Sequence, residues 1–463
     1  MSQFEDRDYQ IAILNFLKSC DSERKNAIVE LDCGLGKRII TLKIVTELYP
    51  TENILVLLHS TSSLAETLNF FKENIPNTDL GWLDSRTSSP MRIYILKNKR
   101  VVLATPRLIA NILRKNSQVL DRFRIVVINE VDKIVKRMGT QGRVIVQPWP
   151  KLLPLLSDKF VIGMSGTFRD THFVMGANKK YEVEELVTLR AVIPNSRLIL
   201  MDSLQQMIKK YVKYTIVYPY PIEKEEMRKI LTEIDNEVSE VIKILKSKNA
   251  DRNILAAVQT LSPEDELRQK FSKLTMLRKY LVALPIKTAK KYFLMDDYIR
   301  KRFYALLPQI RENPKIPALF NLINSLQGKV VILTSYKATV RKIEEMAKKR
   351  NITVFTLTGE SFNKSEILDD FKKTSENAIL VLSPIGERDL DFSGVKNMVI
   401  LDVINTTKTM YQRIKRIRGG EIYIFFFKGT SEERKVKQLL RNIKERYYWS
   451  TKISFRYIQE LRK

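Results

Sequence analysis

The chain is poor in the residues that build most metal centres and covalent frameworks. It has 2 Cys and 2 His in 463 residues, too few for a disulfide scaffold or a Cys/His metal site. No uninterrupted apolar run approaches the roughly 18–20 residues of a membrane span. The first residues, Met1-Ser2-Gln3-Phe4-Glu5-Asp6, lack the basic-then-apolar layout of a signal peptide. No metal, no membrane and a reducing, cytoplasmic setting are therefore expected. Acidic residues are scarce beside basic ones: 52 Asp+Glu against 80 Lys+Arg, a formal net charge of +28. A lysine-rich thermophile surface carries matching glutamate for ion-pair networks, and this surface does not match. An uncompensated cationic excess attracts phosphate backbones, so nucleic acid is the expected partner.

What is present fits a folded protein. Hydrophobic residues make up 44% and charged residues 29%, which argues against disorder. The length is too great for one core, so two or three domains are expected. Short β-branched runs at 27–29, 54–58, 101–104, 125–128, 160–164 and 198–201 alternate with helical patterns. This alternation predicts a parallel sheet covered by helices on both faces. Strands then stop, and 223–245, 264–283 and 288–306 carry apolar residues at helical spacing. Asn313-Pro314-Lys315-Ile316-Pro317 punctuates the end of this block. A second alternating block has strands at 330–334, 354–357, 378–382, 398–401 and 422–427, then a basic helix at 432–446 and Tyr447-Tyr448-Trp449. The expected divisions are 1–221, 222–312 and 313–463.

The first block contains Leu31-Asp32-Cys33-Gly34-Leu35-Gly36-Lys37-Arg38 between a strand and a helix start. Gly34 and Gly36 let backbone N–H groups turn inward, the helix start adds partial positive charge, and Lys37 reaches outer phosphates. A working loop places Ser or Thr after the lysine to ligate Mg²⁺. Here Arg38 stands there, a cation with no acceptor. Two α/β blocks with such a loop suggest a nucleotide held between two RecA-like domains. A second signature belongs on a later strand, and Ile125-Val126-Val127-Ile128-Asn129-Glu130-Val131-Asp132 supplies it in altered form. In active hydrolases the first acidic residue there holds the metal and the next orients water. Asn129 is a poor ligand for a hard dication; Glu130 keeps the base position.

At these residues the chain resembles superfamily 2 helicases of the archaeal Hef and Fanconi-anaemia group M type. The resemblance runs in order along nearly the whole chain. Arg7-Asp8-Tyr9-Gln10 resembles the adenine-reading motif, with Gln10 as its glutamine. His59-Ser60-Thr61 and Ala104-Thr105-Pro106-Arg107 resemble strand-backbone contacts, and Gly163-Met164-Ser165-Gly166-Thr167 is similar to the coupling motif III. Asn313-Pro314-Lys315 and Val331-Ile332-Leu333-Thr334-Ser335-Tyr336 resemble the approach to the second domain and motif IV. Residues 383–391 resemble motif V, and Gln412-Arg413-Ile414-Lys415-Arg416-Ile417-Arg418-Gly419 resembles motif VI. The resemblance implies two RecA-like domains, each a parallel sheet flanked by helices, with an all-α insertion that grips duplex or branched DNA.

The departures from the pattern matter equally. Beyond Arg38 and Asn129, Asp32 adds a carboxylate beside the loop, Asp132 replaces a His, and Asp389 and Lys415 replace glycines. Arg416 matches one arginine finger, whereas Arg418 lies one position early for the other. Losing both protein ligands of the metal costs several kcal/mol of transition-state stabilisation, roughly three or more decades in rate. Glu130 and Arg416 are thus expected as vestigial catalytic residues, and Gln10, Gly34, Gly36, Lys37 and Arg38 as a vestigial nucleotide site, with no cofactor required. Arg38 is expected to fill the vacated metal position and pair with Glu130 or Asp132; metal-free phosphate binding by Lys37 and Arg38 is the alternative. Thr61, Thr105, Thr334 and Ser335 are expected to meet DNA phosphates, with Lys287, Lys290, Lys291, Arg300, Lys301 and Arg302 supplying bulk attraction. The resemblance implies a nucleoid-associated scaffold on branched or forked DNA in repair and fork restart, with a separate XPF-type nuclease as partner. An active ATP-dependent helicase and a protein-interaction module without DNA binding are the alternatives.

Overall fold

The computed structural model describes the chain apart from residues 1–5, 33, 115–116, 138–142, 167, 169–170, 176–179, 249–253, 294–295, 362, 375–376, 385–389, 391, 393, 404–405, 418, 449–450 and 454–463. Cys33, Thr167, most of 383–391 including Asp389, Arg418 and Trp449 therefore lie outside the described residues. The contacts divide the chain into two units, Met1–Val212 and Lys213–Lys463.

The first unit opens with helix α1 (Asp8–Ser22), which buries Tyr9, Gln10, Ile13, Leu17 and Cys20 at helical spacing. The strands of its main sheet are β1 (Asn26–Glu30), β2 (Ile54–Leu57), β3 (Leu80–Trp82), β4 (Val101–Ala104), β5 (Ile125–Asn129), β6 (Phe160–Ser165) and β7 (Ser196–Ile199). They form one sheet in the order β7-β1-β6-β5-β2-β4-β3, every pairing parallel. Runs such as Ile-Val-Val-Ile are buried on both faces because each crossover lays a helix on the sheet. The order places β1, β6 and β5 side by side, so the loops leaving their C-terminal ends meet at one edge. Gly163 on β6 permits the closest of these packings: a Cβ there would lie 2.8 Å from Val131 Cγ2.

The strand expected at 198–201 ends earlier, at Ile199, for a specific reason. Met201 begins a helix (Met201–Ile208), and its N–H donates to the buried carboxylate of Glu30 at 3.1 Å. That bond commits the backbone to a helix start.

The second unit has strands β8 (Thr215–Ile222), β9 (Val330–Leu333), β10 (Val354–Leu357), β11 (Ile379–Leu382), β12 (Asn397–Ile400), β13 (Gly420–Phe427) and β14 (Thr451–Ile453). Their order is β10-β11-β9-β12-β13-β8-β14, again wholly parallel. The expected division at 221 is corrected by β8, which pairs with β13 from Thr215 to Ile222 and so belongs to the second sheet. Pro219 and Pro221 hide this strand in the sequence. They are tolerated because β14 pairs only with Thr215–Val217, leaving the prolines with a neighbour on one side.

The helical block also differs from a free-standing insertion. Ile230, Ile234, Leu274, Leu277 and Phe303 share one buried cluster with Ile332, Val381, Val399 and Tyr423 of the second sheet. Its helices are Glu225–Lys248, Ile254–Thr260, Glu266–Ala283, Ile286–Phe293 and Asp297–Phe303. The helix expected over 288–306 is broken because Asp296 caps a new start, accepting from Ile299 N–H at 3.0 Å and holding Lys273 at 2.8 Å. Asn313 ties block to sheet: its amide donates to the carbonyls of Val282 (3.2 Å) and Leu284 (3.0 Å) at the end of the long helix. The neighbouring Lys315 is buried, its Nζ bonded to Glu432 at 2.6 Å and to the Leu401 carbonyl at 2.8 Å.

Candidate nucleotide site and nucleic-acid interface

The glycine loop leaves β1 and enters a short helix, Lys37–Lys43. Gly34 and Gly36 take φ of +84° and +82°, left-handed values that side-chained residues rarely adopt. The loop is anchored twice. Leu31 N–H donates to the Ser165 carbonyl at 2.8 Å, and the Tyr9 hydroxyl donates to the Leu35 carbonyl at 2.8 Å. Burial pushes the Tyr9 phenol up, with Arg7 and the Gln10 amide acting in the opposite direction.

Lys37 does not project into open space. Its ammonium donates to the Leu31 carbonyl at 3.2 Å and lies 3.7 Å from Glu130 Oε1. Glu130 itself sits at φ +56°, just past the end of β5. The expected pairing of Arg38 with Glu130 or Asp132 is corrected. Arg38 bonds Glu66 on the helix Thr61–Lys72 instead, with about half of its side chain exposed. Lys37 already neutralises Glu130, and Asp132 is buried against Ser165, whose Oγ donates to it at 2.6 Å. That bond links the turn after β5 to the last residue of β6.

Two buried amides stand at this edge. Gln10 is 1% exposed and acts on the neighbouring Tyr9 hydroxyl. A Cβ on Gly36 would stand 3.1 Å from the Gln10 Nε2, so the amide lies against the loop backbone. Asn129 Oδ1 is buried with no hydrogen-bond partner among the described residues. The donor set does not suit a magnesium ion: the position after the loop lysine carries a guanidinium, and the strand end carries an amide rather than a carboxylate. The glycine turn, Lys37 and the buried Gln10 amide converge on one loop.

The residues expected at nucleic acid separate into groups. Thr61 and Thr105 follow the adjacent strands β2 and β4, which brings them to the same sheet edge as the loop. Thr61 is exposed in the first turn of its helix, and Thr105 stands at the cap position of Pro106–Leu113 without a side-chain capping bond. Thr334 is corrected: it is fully buried, its hydroxyl donating to Asp402 at 2.8 Å. Ser335 gives its backbone N–H to the same carboxylate. Burial holds the Asp402 carboxyl above its usual range, with Lys315 opposing. These groups brace the second sheet.

The basic run on the helical block divides similarly. Arg302 is held by Glu237 at 2.8 Å and Glu233 at 3.1 Å, and Arg300 by Asp297 at 2.5 Å. Lys290 is half-buried, and burial pushes its ammonium down. Lys287, Lys291 and Lys301 are exposed and make no ion pair among the described residues, which leaves them the members of the run open to a polyanion. The exposed rings of Tyr292 and Tyr304 on the same helical segment were not picked out from the sequence. Aromatic residues interleaved with lysines were the available signal. Arg416 belongs to the second unit and donates to the Leu390 carbonyl at 2.9 Å.

Comparisons with known proteins agree with this architecture. The family described as "Type III restriction enzyme, res subunit" matches residues 3–170, and "Helicase conserved C-terminal domain" matches residues 314–420. A search of curated proteins finds no match. Among solved structures, the helicase domain of Hef from Pyrococcus furiosus is similar, with a TM-score of 0.60 and 19% identity over 94% of this chain and 98% of that one. Among the described residues no helix is long and apolar enough to cross a membrane. The chain thus carries a segment that matches the res-subunit family and a segment that matches the helicase C-terminal family, in that order, on the fold of the Hef helicase domain.

Proposed function

We propose that this protein binds branched or forked DNA as a scaffold and does not hydrolyse ATP at a useful rate. Phosphoryl transfer depends on metal-assisted charge neutralisation and on positioning of the attacking water. The observation that carries the reading is the fate of the two metal-ligand positions: Arg38 is turned to Glu66, and Asn129 presents a neutral amide. Glu130, which would act as base, is paired with Lys37 at 3.7 Å. Binding to DNA needs none of these groups. It draws on the net charge of +28 and on exposed lysines such as Lys287, Lys291 and Lys301.

In this reading the protein works on the nucleoid, in repair or restart of stalled forks, alongside a separate XPF-type nuclease. That partner rests on analogy with the Hef family, which joins a helicase to such a nuclease in one chain. The test is binding of fluorescent forked, duplex and single-stranded DNA across a salt series, with phosphate release measured in parallel. The expected result is tightest binding to the fork, a steep loss of affinity with salt, and no dependence on ATP and magnesium. DNA-stimulated phosphate release abolished by Lys37→Ala would establish an active motor instead. Absence of salt-dependent DNA binding would leave a protein-interaction module.

A further inference from the structure

We propose that Tyr292 is a stacking step for one unpaired DNA base, held out by a column of tyrosines rooted in the second sheet. The step rests on the reading of branched-DNA binding and deepens it: an unpaired base is what a fork has and a blunt duplex lacks.

The first observation is the column. The Tyr292 ring leans on Tyr280 with centroids 5.1 Å apart and planes at 52°, and Tyr280 meets Tyr336 edge-on at 5.7 Å and 88°. Tilted and edge-on contacts are the favoured geometries for ring pairs. Tyr336 is half-buried just past β9, beside Ser335, whose N–H is given to Asp402. The helix Glu266–Ala283, which carries Tyr280, is pinned at its end by the Thr339 hydroxyl, which donates to the Ala283 carbonyl at 2.6 Å. The inner rings are thereby fixed, while the outer one is 57% exposed. A ring already held in place loses little freedom when a base covers it. Tyr304 is more exposed, at 72%, but meets no ring among the described residues, so it has no such support.

The second observation is the charge around the rings. Lys287 and Lys291 share the helix Ile286–Phe293 with Tyr292, and Lys279 precedes Tyr280 with its ammonium 5.8 Å from the Tyr336 ring centre. All three lysines are exposed and make no ion pair among the described residues. An apolar partner would have to cover these ammonium groups at a desolvation cost. A nucleotide instead sets its phosphates on the lysines and its base on the ring.

The faces of paired bases inside a duplex are covered by their neighbours. The ring therefore finds an open face only at an unpaired nucleotide or a strand end. Every base has such a face, so the step reads strand structure and not sequence.

The test measures binding of the full chain by fluorescence anisotropy to three DNAs: a fork, the same fork with abasic sites throughout its unpaired arms, and a blunt duplex. Wild type binds the intact fork about tenfold more tightly than the abasic one. Tyr292→Leu weakens the intact fork about tenfold and leaves the abasic fork and the duplex within about twofold. Tyr292→Phe, which keeps a ring, and Tyr304→Leu both stay within about twofold of wild type. With 5-iodouracil in the unpaired arms, irradiation crosslinks the strand to Tyr292, mapped by mass spectrometry. Equal affinity of wild type for the intact and abasic forks overturns the proposal, since the surface then reads charge alone. An equal loss on the duplex from Tyr292→Leu overturns it too, and an equal loss from Tyr304→Leu overturns the role given to the column. Wild type that binds no DNA defeats the branched-DNA reading as well, whereas fork binding unmoved by Tyr292→Leu defeats the stacking step alone.

Discussion

Glu237 is the hub of the helical block, and its replacement by glutamine gives a sharp prediction. The carboxylate is 12% exposed and is met by Lys270 at 2.7 Å, Arg302 at 2.8 Å and the Tyr298 hydroxyl at 3.0 Å. Burial alone would raise its pKa; the bonds from Lys270, Arg302 and Tyr298 outweigh it and bring the carboxyl from 4.5 to about 2. A shift of that size corresponds to about 3 kcal/mol of stability at neutral pH. Lys270 and Arg302 are 32% and 47% exposed, so solvent screening reduces this to about 1–2 kcal/mol. The sign follows from the lowered value. The folded state holds its proton less tightly than the unfolded one, so the contribution is complete above pH 4.5 and lost as pH falls toward 2. Urea unfolding followed by circular dichroism should therefore show Glu237→Gln less stable by about 1–2 kcal/mol at pH 7, with the gap falling to less than half by about pH 3. Equal stability at pH 7, or a gap that stays constant down to pH 3, would refute the reasoning.

Other substitutions follow from the same geometry. Gly163→Ala places a methyl 2.8 Å from Val131 Cγ2 and should cost about 1–3 kcal/mol in thermal melts, with Val131→Ala restoring part of it. Lys315→Met strands the Glu432 carboxylate in the core and should cost about 3–5 kcal/mol in urea unfolding. The double change with Glu432→Leu should recover most of that loss. Lys291→Glu and Lys301→Glu should each weaken fork binding and lower the salt slope by about one. Arg302→Gln should alter the slope little, because Arg302 is already committed to Glu233 and Glu237.

Much of the fold was legible because parallel strands buried on both faces leave a continuous apolar signature. Ile125–Asn129 and Val330–Leu333 read directly. Leu80–Trp82 did not, being three residues long with a central glycine. Thr215–Ile222 did not, because two prolines argue against a strand unless its neighbour on one side is missing. Of the candidate site, the glycine loop and the Asn129-Glu130 strand end were legible as spacing. Their partners were not. Arg38 finds Glu66, and Lys37 finds Glu130, across separations set by strand order rather than by sequence. Thr334 illustrates the same limit: a hydroxyl after a strand reads alike whether it faces a phosphate or a buried Asp402.

The replacement of both metal-binding positions is the centre of this account, and single-turnover phosphate release measures its consequence most directly. Purified protein saturated with forked DNA, mixed with γ-labelled ATP and magnesium, should release phosphate no faster than Lys37→Ala does. Release well above that variant, accelerated by the fork, would contradict the account.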